Sequence, residues 1–182
     1  TEADPAHTAR IQGILAASSA ITHEGSHVLD YAAGWMRSPL VRASAEAVRT
    51  DPRLRGPNLW DARLSTADGS LLCVRIGWML PSMPPSSLRL SGPGGSLTCD
   101  LGSGAATLRL GTGHEEIDLG RPTQEWAAQL DVFAEAIDRG RAEIATVDDG
   151  MRALAASEAC ERSARTLTPV AIPQPALRAA TA

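Results

Sequence analysis

A series of strand-like segments joined by short glycine turns constrains the fold of this chain more than any other feature. The predicted strands, in chain order, span residues 41–48, 59–66, 70–79, 88–90, 96–99, 106–110 and 116–119. Three of the connections contain Asp68-Gly69, Gly92-Pro93-Gly94-Gly95 and Gly111-Thr112-Gly113, and tight hairpins favour glycine. A parallel connection needs a crossover of about a dozen residues or more. These segments therefore predict an antiparallel sheet.

Helical periodicity is confined to the two ends of the chain. Apolar residues recur at helical spacing over residues 23–36 and 123–139, and another helix is predicted to open at residues 146–150. Residues 168–172 are predicted to form a final strand. Helices segregated from antiparallel strands are typical of the α+β class, with the helices packed on one face of the sheet. The other face must then be polar, carry a ligand or pair with another subunit.

Length and composition predict one globular domain over residues 14–172. Residues 1–13 are small and polar and are expected to be a lead-in or a cut linker, and residues 173–182 a flexible tail. A length of 182 residues is ordinary for one domain. The proportions of apolar residues, 43%, and charged residues, 21%, are those of a soluble globular protein and not of a disordered one.

Charge, cysteines and hydropathy exclude several classes of partner. The net charge is −4 and every basic residue is an arginine, so no step can use a lysine ammonium, and the scattered arginines argue against a nucleic-acid footprint. No apolar run reaches the roughly 20 residues that span a bilayer. Three widely spaced cysteines argue against a disulfide framework and favour a reducing, cytoplasmic location.

The segment HEGSHVLD, residues 23–30, is the first candidate for chemistry. His23 and His27 are four residues apart, and Asp30 follows three later, so all three share one face of a helix. Two imidazoles and a carboxylate can run acid/base chemistry or bind a metal. The segment is also a formal match to the zincin pattern, although Gly25 weakens the helix and no third ligand follows at a known offset. The simpler interpretation is one capping or core histidine and one surface histidine.

Glycines and tryptophans supply two further candidates. The sets Gly92–Gly95 and Gly102–Gly104 resemble phosphate loops, but each lies between strands and not before a helix, so hairpin turns are expected. Trp60 and Trp78 lie near strand ends beside irregular loops, where an aromatic ring can line a carbohydrate or other small-ligand site. A tryptophan that only covers a sheet edge is the simpler alternative.

An ordered set of motifs resembles the C-terminal domain of Gfo/Idh/MocA-type NAD(P)-dependent oxidoreductases. HEGSHVLD is similar to the family's D-x-G-x-H-x-x-D segment, and residues 133–140 (FAEAIDRG) to its F-x-x-A-I-x-x-G helix end. Residues 149–154 (DGMRAL), with Glu158-Ala159 and Ser163-Ala164, resemble a later helix of the family. Residues 88–97 resemble its strand–turn–strand unit. The matches cover residues 14–172 in the family's order.

The resemblance implies a large, mostly antiparallel open sheet whose free face forms a homodimer or homotetramer. It places His27 on the histidine that exchanges a proton with a sugar or polyol hydroxyl, and His23 where the family has an aspartate. Asp30 matches a later aspartate, interpreted as structural. The substrate implied is a small molecule, a sugar, a cyclitol or a related compound, with Trp60 and Trp78 as candidate substrate contacts.

Two features of the family are missing from this chain: the Rossmann domain and the lysine of its E-K-P segment. NAD or NADP is therefore expected in the complete enzyme and not on this chain alone, which leaves its own enzymatic status open. The chain is expected to be either the substrate-binding and oligomerisation half of such an oxidoreductase or a non-catalytic binding or assembly module of the same fold. A metal hydrolase using His23, Glu24 and His27 is a third hypothesis.

Overall fold

The computed structural model of the chain describes residues 5–82, 84–120, 125–140 and 144–174. It divides into two compact units, the first formed by Thr1–Met83 with Ala145–Ala182 and the second by Pro84–Ile144. The helices are α1 (Pro5–Ala17), α2 (Ala20–His23), α3 (Gly25–Trp35), α4 (Glu125–Arg139) and α5 (Val147–Thr166). The strands are β1 (Leu40–Val48), β2 (Leu59–Thr66), β3 (Leu71–Gly77), β4 (Ser87–Gly92), β5 (Gly95–Asp100), β6 (Ala105–Leu110), β7 (Gly113–Asp118) and β8 (Val170–Ala171).

The first unit is a four-stranded antiparallel sheet, in the order β3-β2-β1-β8, covered on one face by helices. Its inner face is built from alternating apolar residues of β1, β2 and β3, which pack with α2, α3 and α5 in one core. Alanines at Ala43 and Ala45 on β1, and at Ala156 and Ala159 on α5, are buried where α5 contacts β1. Small side chains at this contact let the helix lie close to the sheet.

The outer face of this first sheet is polar. Arg42, Glu46, Asp61 and Arg75 alternate with the buried positions and are all exposed, and Arg75 pairs with Asp61 across the two strands. The alternation agrees with a sheet that has helices on one face and solvent on the other.

The second unit holds another four-stranded antiparallel sheet, in the order β4-β5-β6-β7, and the helix α4. Cross-strand register puts the apolar residues of all four strands on one face: Leu88, Leu90, Leu97, Cys99, Ala106, Leu108, Leu110 and Ile117. The opposite face carries Arg89, Thr98, Thr107, Arg109, His114 and Glu116.

The α+β class, the antiparallel pairing and the helices on one face are confirmed. The strands form two four-stranded sheets where the resemblance implied one large sheet. The boundary falls in the proline-rich residues 81–85, where Pro84 and Pro85 lack the amide donor that a ladder needs. Residues 168–172 contribute the short edge strand β8, as the sequence predicted.

Residues 5–13, expected as a lead-in, instead form most of α1. Ile11 and Leu15 of this helix are buried against Leu54 in a small second core. Pro5 is the first helical residue, where its missing amide hydrogen costs nothing, so it starts the helix and does not break it. Of the predicted tail, residues 175–182 lie outside the described residues.

Helix α4 differs from expectation in its surroundings. Its apolar stripe, predicted from helical spacing, consists of Trp126, Leu130, Phe133, Ala134 and Ile137, and all five side chains are exposed. No helix among the described residues combines the length and apolar character needed to cross a bilayer.

Candidate functional site

The candidate segment lies where α2 meets α3, in the first unit. The Ser19 side chain accepts a hydrogen bond from the Thr22 amide, 3.1 Å, and so caps α2. Ser19 also donates to Glu161 of α5, and Thr22 Oγ1 donates to Glu161 Oε1 at 2.8 Å. The carboxylate of α5 therefore holds the short helix that ends at His23.

The sequence predicted one helix over residues 23–36. The structure instead has two helices here, because α2 ends at His23 and α3 begins at Gly25. Glu24 separates them, with near-helical backbone angles of φ −96° and ψ −38°. Gly25, the first residue of α3, is buried, and a Cβ there would lie 2.8 Å from Ile21 Cδ1 and 3.0 Å from Ile76 Cδ1. Glycine thus lets the start of α3 approach β3, and this close approach sets the position of His27 two residues later.

Both candidate histidines are exposed around this junction. The ring of His23 makes an edge contact with the indole of Trp78, with centroids 5.6 Å apart and an angle of 75° between the planes. His27 lies in the first turn of α3, on the side opposite the buried Leu29 and Ala32. The fold therefore brings together His23 and Trp78 and presents His27 to solvent.

Trp60 lies apart from this group. It is 4% exposed in the core under the helices, and its indole nitrogen donates to the Pro57 carbonyl, 3.4 Å. Its burial argues against the predicted contact with substrate and favours a packing role. The inner face of β2, which also carries the buried Ala62 and Leu64, decides this placement.

Asn58 is the residue that sequence reasoning missed. Its side chain is fully buried; Nδ2 donates to Trp78 O, 2.7 Å, and to Thr50 Oγ1, 2.9 Å, while Oδ1 accepts from Thr50 N, 2.8 Å. The backbone adds a bond from Trp78 N to Asn58 O, 2.8 Å. Asn58 therefore ties the end of the loop before β2 to Trp78 and so positions the ring that contacts His23. Nothing in the sequence indicated this role, because the burial of an amide has no local signal.

The electrostatics of the segment centre on Tyr31, one turn beyond His27. Burial raises the pKa of Tyr31 above its ordinary value, and the negative charge of Glu24 adds to this effect. The phenol is therefore a neutral hydrogen-bonding group at neutral pH. Burial also raises the pKa of Cys160 to about 12, so that thiol is no nucleophile.

The remaining candidates concern metals and phosphates. Within residues 5–82, 84–120, 125–140 and 144–174, no group of three or more His, Cys, Asp or Glu side chains is placed to hold a metal ion. Gly94 lies in the turn between β4 and β5, Gly95 is the first residue of β5, and Gly104 and Gly111 lie between later strands, which confirms that these glycines belong to hairpin connections. They do not precede a helix, so they do not fit the phosphates of a dinucleotide.

Comparisons with known proteins give matches in structure only. No family model matches the sequence, and no curated protein matches it. The aldose-aldose oxidoreductase of Caulobacter crescentus, solved with glycerol, is 24% identical with a TM-score of 0.70, over 81% of this chain and 45% of that one. Levoglucosan dehydrogenase, solved with NADH and with levoglucosan, is 17% identical with a TM-score of 0.79, over 91% of this chain and 53% of that one.

A third structure, an oxidoreductase from Agrobacterium radiobacter with NAD+, L-tartaric acid and magnesium, is 19% identical with a TM-score of 0.75, over 88% of this chain and 52% of that one. The chain thus spans about half the length of the structures it resembles. At 17% to 24% identity these likenesses establish the fold, so this chain has the fold of about half of each of these oxidoreductase chains.

Proposed function

We propose that this chain is the substrate-binding and oligomerisation half of an NAD(P)-dependent oxidoreductase that acts on a sugar, a cyclitol or a related hydroxyl or carbonyl compound. The observation that carries the proposal is the exposed His27 at the start of α3, in a fold shared with half of levoglucosan dehydrogenase. The proposal is supported by the motif resemblance, in which His27 corresponds to the proton-exchanging histidine of the family.

In this proposal His27 accepts the proton of the hydroxyl group whose carbon is oxidised, and returns it in the reverse direction. An exposed imidazole suits the task because histidine is the side chain that most often transfers protons as a general acid or base. His23 stands where the family has an aspartate, and its contact with Trp78 orients it beside the site. Trp78, half-buried, borders the substrate.

The cofactor in this proposal is bound outside this chain. The glycine turns of the chain do not fit a dinucleotide, and the chain contains no lysine. When bound, NAD or NADP supplies the hydride chemistry. The residues described here would then bind and orient the substrate and move its proton.

The oligomer in this proposal, a homodimer or homotetramer, forms through a sheet face. The apolar face of the second sheet supports this, since Leu90 and Leu110 on it are 41% and 58% exposed. Exposed apolar patches of this kind mark interaction sites in soluble proteins. The same face favours the second candidate function, a non-catalytic assembly module of the same fold.

The experiment that separates the two candidates starts from the polypeptide as the source organism makes it. A mass near twice 19.1 kDa, with sugar-dependent reduction of NAD or NADP, supports the oxidoreductase. In that polypeptide His27→Ala is expected to lower kcat by about 10²- to 10⁴-fold, as for loss of a general base. His114→Ala, at an exposed histidine of β7, is the matched control. Wild-type turnover in His27→Ala would remove His27 from the mechanism.

A mass near 19.1 kDa without turnover would favour the assembly module. Sedimentation then tests the sheet face directly. Leu110→Glu is expected to dissociate the oligomer, because it buries an unpaired charge, whereas Thr98→Glu on the polar face leaves it intact. A wild-type chain that sediments as a monomer would contradict the predicted oligomer.

A further inference from the structure

One face of α3 carries a stripe of exposed polar and aromatic side chains. His27, Tyr31 and Trp35 follow one another at intervals of four residues, and Glu24 precedes them at the junction with α2. At 100° per residue these four positions fall within one arc of the helix. The opposite side of α3, with Leu29 and Ala32, is buried in the core.

The two aromatic rings of the stripe are in contact with each other. The ring centroids of Tyr31 and Trp35 are 5.1 Å apart with an angle of 47° between the planes. Tyr31 is 40% exposed and Trp35 51% exposed. Aromatic residues are only 3% of this chain, so two adjacent exposed rings are a substantial share of its aromatic surface.

From this arrangement we infer that Tyr31 and Trp35 form a platform on which the apolar face of a sugar or polyol ring lies, with its hydroxyl groups directed toward His27. The inference rests on the proposed function and names its substrate contacts. The C–H groups on one face of a sugar ring give it an apolar surface that an aromatic ring can cover, while the hydroxyl rim needs hydrogen-bond partners. Ligand sites in proteins combine apolar lining with a few placed polar groups in the same way.

The dimensions and chemistry of the stripe favour a small ligand over a protein surface. From His27 to Trp35 it rises about 12 Å along the helix, at about 1.5 Å per residue. A carboxylate and an imidazole occupy its first half, and charged groups are depleted at the centre of protein interfaces. By contrast, the stripe of Trp126, Leu130, Phe133 and Ile137 on α4 is entirely apolar, as a protein contact requires.

The direct test observes the indole N–H signal of Trp35 by nuclear magnetic resonance in the 182-residue chain, with levoglucosan as the probe. We expect this signal to shift on titration, and ethylene glycol, which has no ring face, to leave it unchanged. Because an aromatic contact is worth up to about tenfold in affinity, Tyr31→Ala and Trp35→Ala should each weaken sugar binding by up to about tenfold. Binding to Tyr31→Ala is followed at the Trp35 signal. Binding to Trp35→Ala, which lacks that signal, is followed by saturation transfer to the sugar. Tyr31→Phe keeps the ring and should bind nearly as wild type. Trp126→Ala is the control for an exposed tryptophan elsewhere.

The outcomes distinguish the platform from the proposed function. If sugar turnover in the full-length polypeptide shows an unchanged KM in Trp35→Ala, the platform is refuted while the oxidoreductase proposal stands. If the Trp35 signal responds to the sugar but no full-length form turns the sugar over, the platform is supported and the proposed oxidoreductase reaction is refuted. If Trp35 is silent to the sugar in both the chain and the full-length form, the inference is overturned.

Discussion

Replacing Asn58 with alanine tests whether a buried amide holds the candidate site together. The variant removes a fully buried carboxamide together with its bonds to Thr50 and to the Trp78 carbonyl. The backbone bonds from Asn58 N to Val48 O and from Trp78 N to Asn58 O remain. The loss is therefore confined to the side chain.

The loss of stability depends on whether each former hydrogen-bond partner of Asn58 can bond to water instead. Thr50 is exposed, so its amide and hydroxyl regain bonds to water, and the net loss there is about 1 kcal/mol. The half-buried Trp78 carbonyl loses its 2.7 Å donor, which costs roughly 1–3 kcal/mol when no replacement reaches it. The sum for Asn58→Ala is a loss of about 3 kcal/mol in the free energy of unfolding.

Urea unfolding followed by circular dichroism measures this loss. With a slope of about 2 kcal/mol per molar urea, the midpoint should fall by about 1.5 M. Ser157→Ala is the matched control: its buried hydroxyl donates to Ala153 O, 2.9 Å, within α5, and alanine favours a helix. We expect its midpoint to stay within about 0.3 M of wild type, from a change of at most about 0.5 kcal/mol.

A local readout separates positioning from general destabilisation. The T-shaped contact with Trp78 is expected to shift the ring protons of His23 in the magnetic resonance spectrum of the folded chain. In Asn58→Ala under native conditions this shift should move toward that of a histidine with no aromatic ring beside it. A midpoint and a His23 shift both equal to wild type would refute the argument that Asn58 holds Trp78 in place.

Three further predictions concern a helix cap, a turn and an acid. Thr146→Ala removes the side-chain cap of α5, so it should lower the free energy of unfolding by about 1 kcal/mol and raise the pKa of Asp149, which the Thr146 hydrogen bond now lowers. Gly95→Ala should disturb the pairing of β5 with β6, because φ is +153° and the new Cβ would lie 2.1 Å from the backbone oxygen of Arg109 on β6; amide exchange in β6 measures this. The hydrogen bond from Arg53 lowers the pKa of Asp51 to about 2, so Arg53→Ala should raise it toward 3.8 in a carbon-detected titration.

The pH dependence that follows from Asp51 has a definite sign. Because its folded pKa is depressed, its contribution to stability is present above the ordinary value of 3.8 and is lost as the pH falls toward about 2.

Gly92→Ala is the control for the Gly95 variant, since a Cβ there meets nothing within 4 Å. Equal exchange in the Gly92 and Gly95 variants, an unmoved pKa at Asp149, or a Thr146→Ala chain as stable as wild type would each contradict the corresponding prediction.

Local periodicity explains why the sequence predicted so much of the fold. Alternation in β1 and β2 and the turns at Gly69, Gly95 and Gly111 are short-range properties, and they determined the strands and their antiparallel order. The spacing of His23 and His27 is equally local, but it left open which of the two histidines lies at the surface, and the structure exposes both.

Tertiary structure decided the features that depend on contacts between residues distant in sequence. Trp60 and Trp78 are similar in sequence context, yet the register of β2 buries the first under the helices, and the amide of Asn58 holds the second beside His23. The sequence by itself determined the strands and their antiparallel pairing, and it located α3, α4 and α5. Only the folded chain separated the strands into two sheets, formed α1 against Leu54 and left the apolar stripe of α4 exposed. Periodicity specifies which side of an element is apolar, whereas burial requires a second surface that only the whole fold supplies.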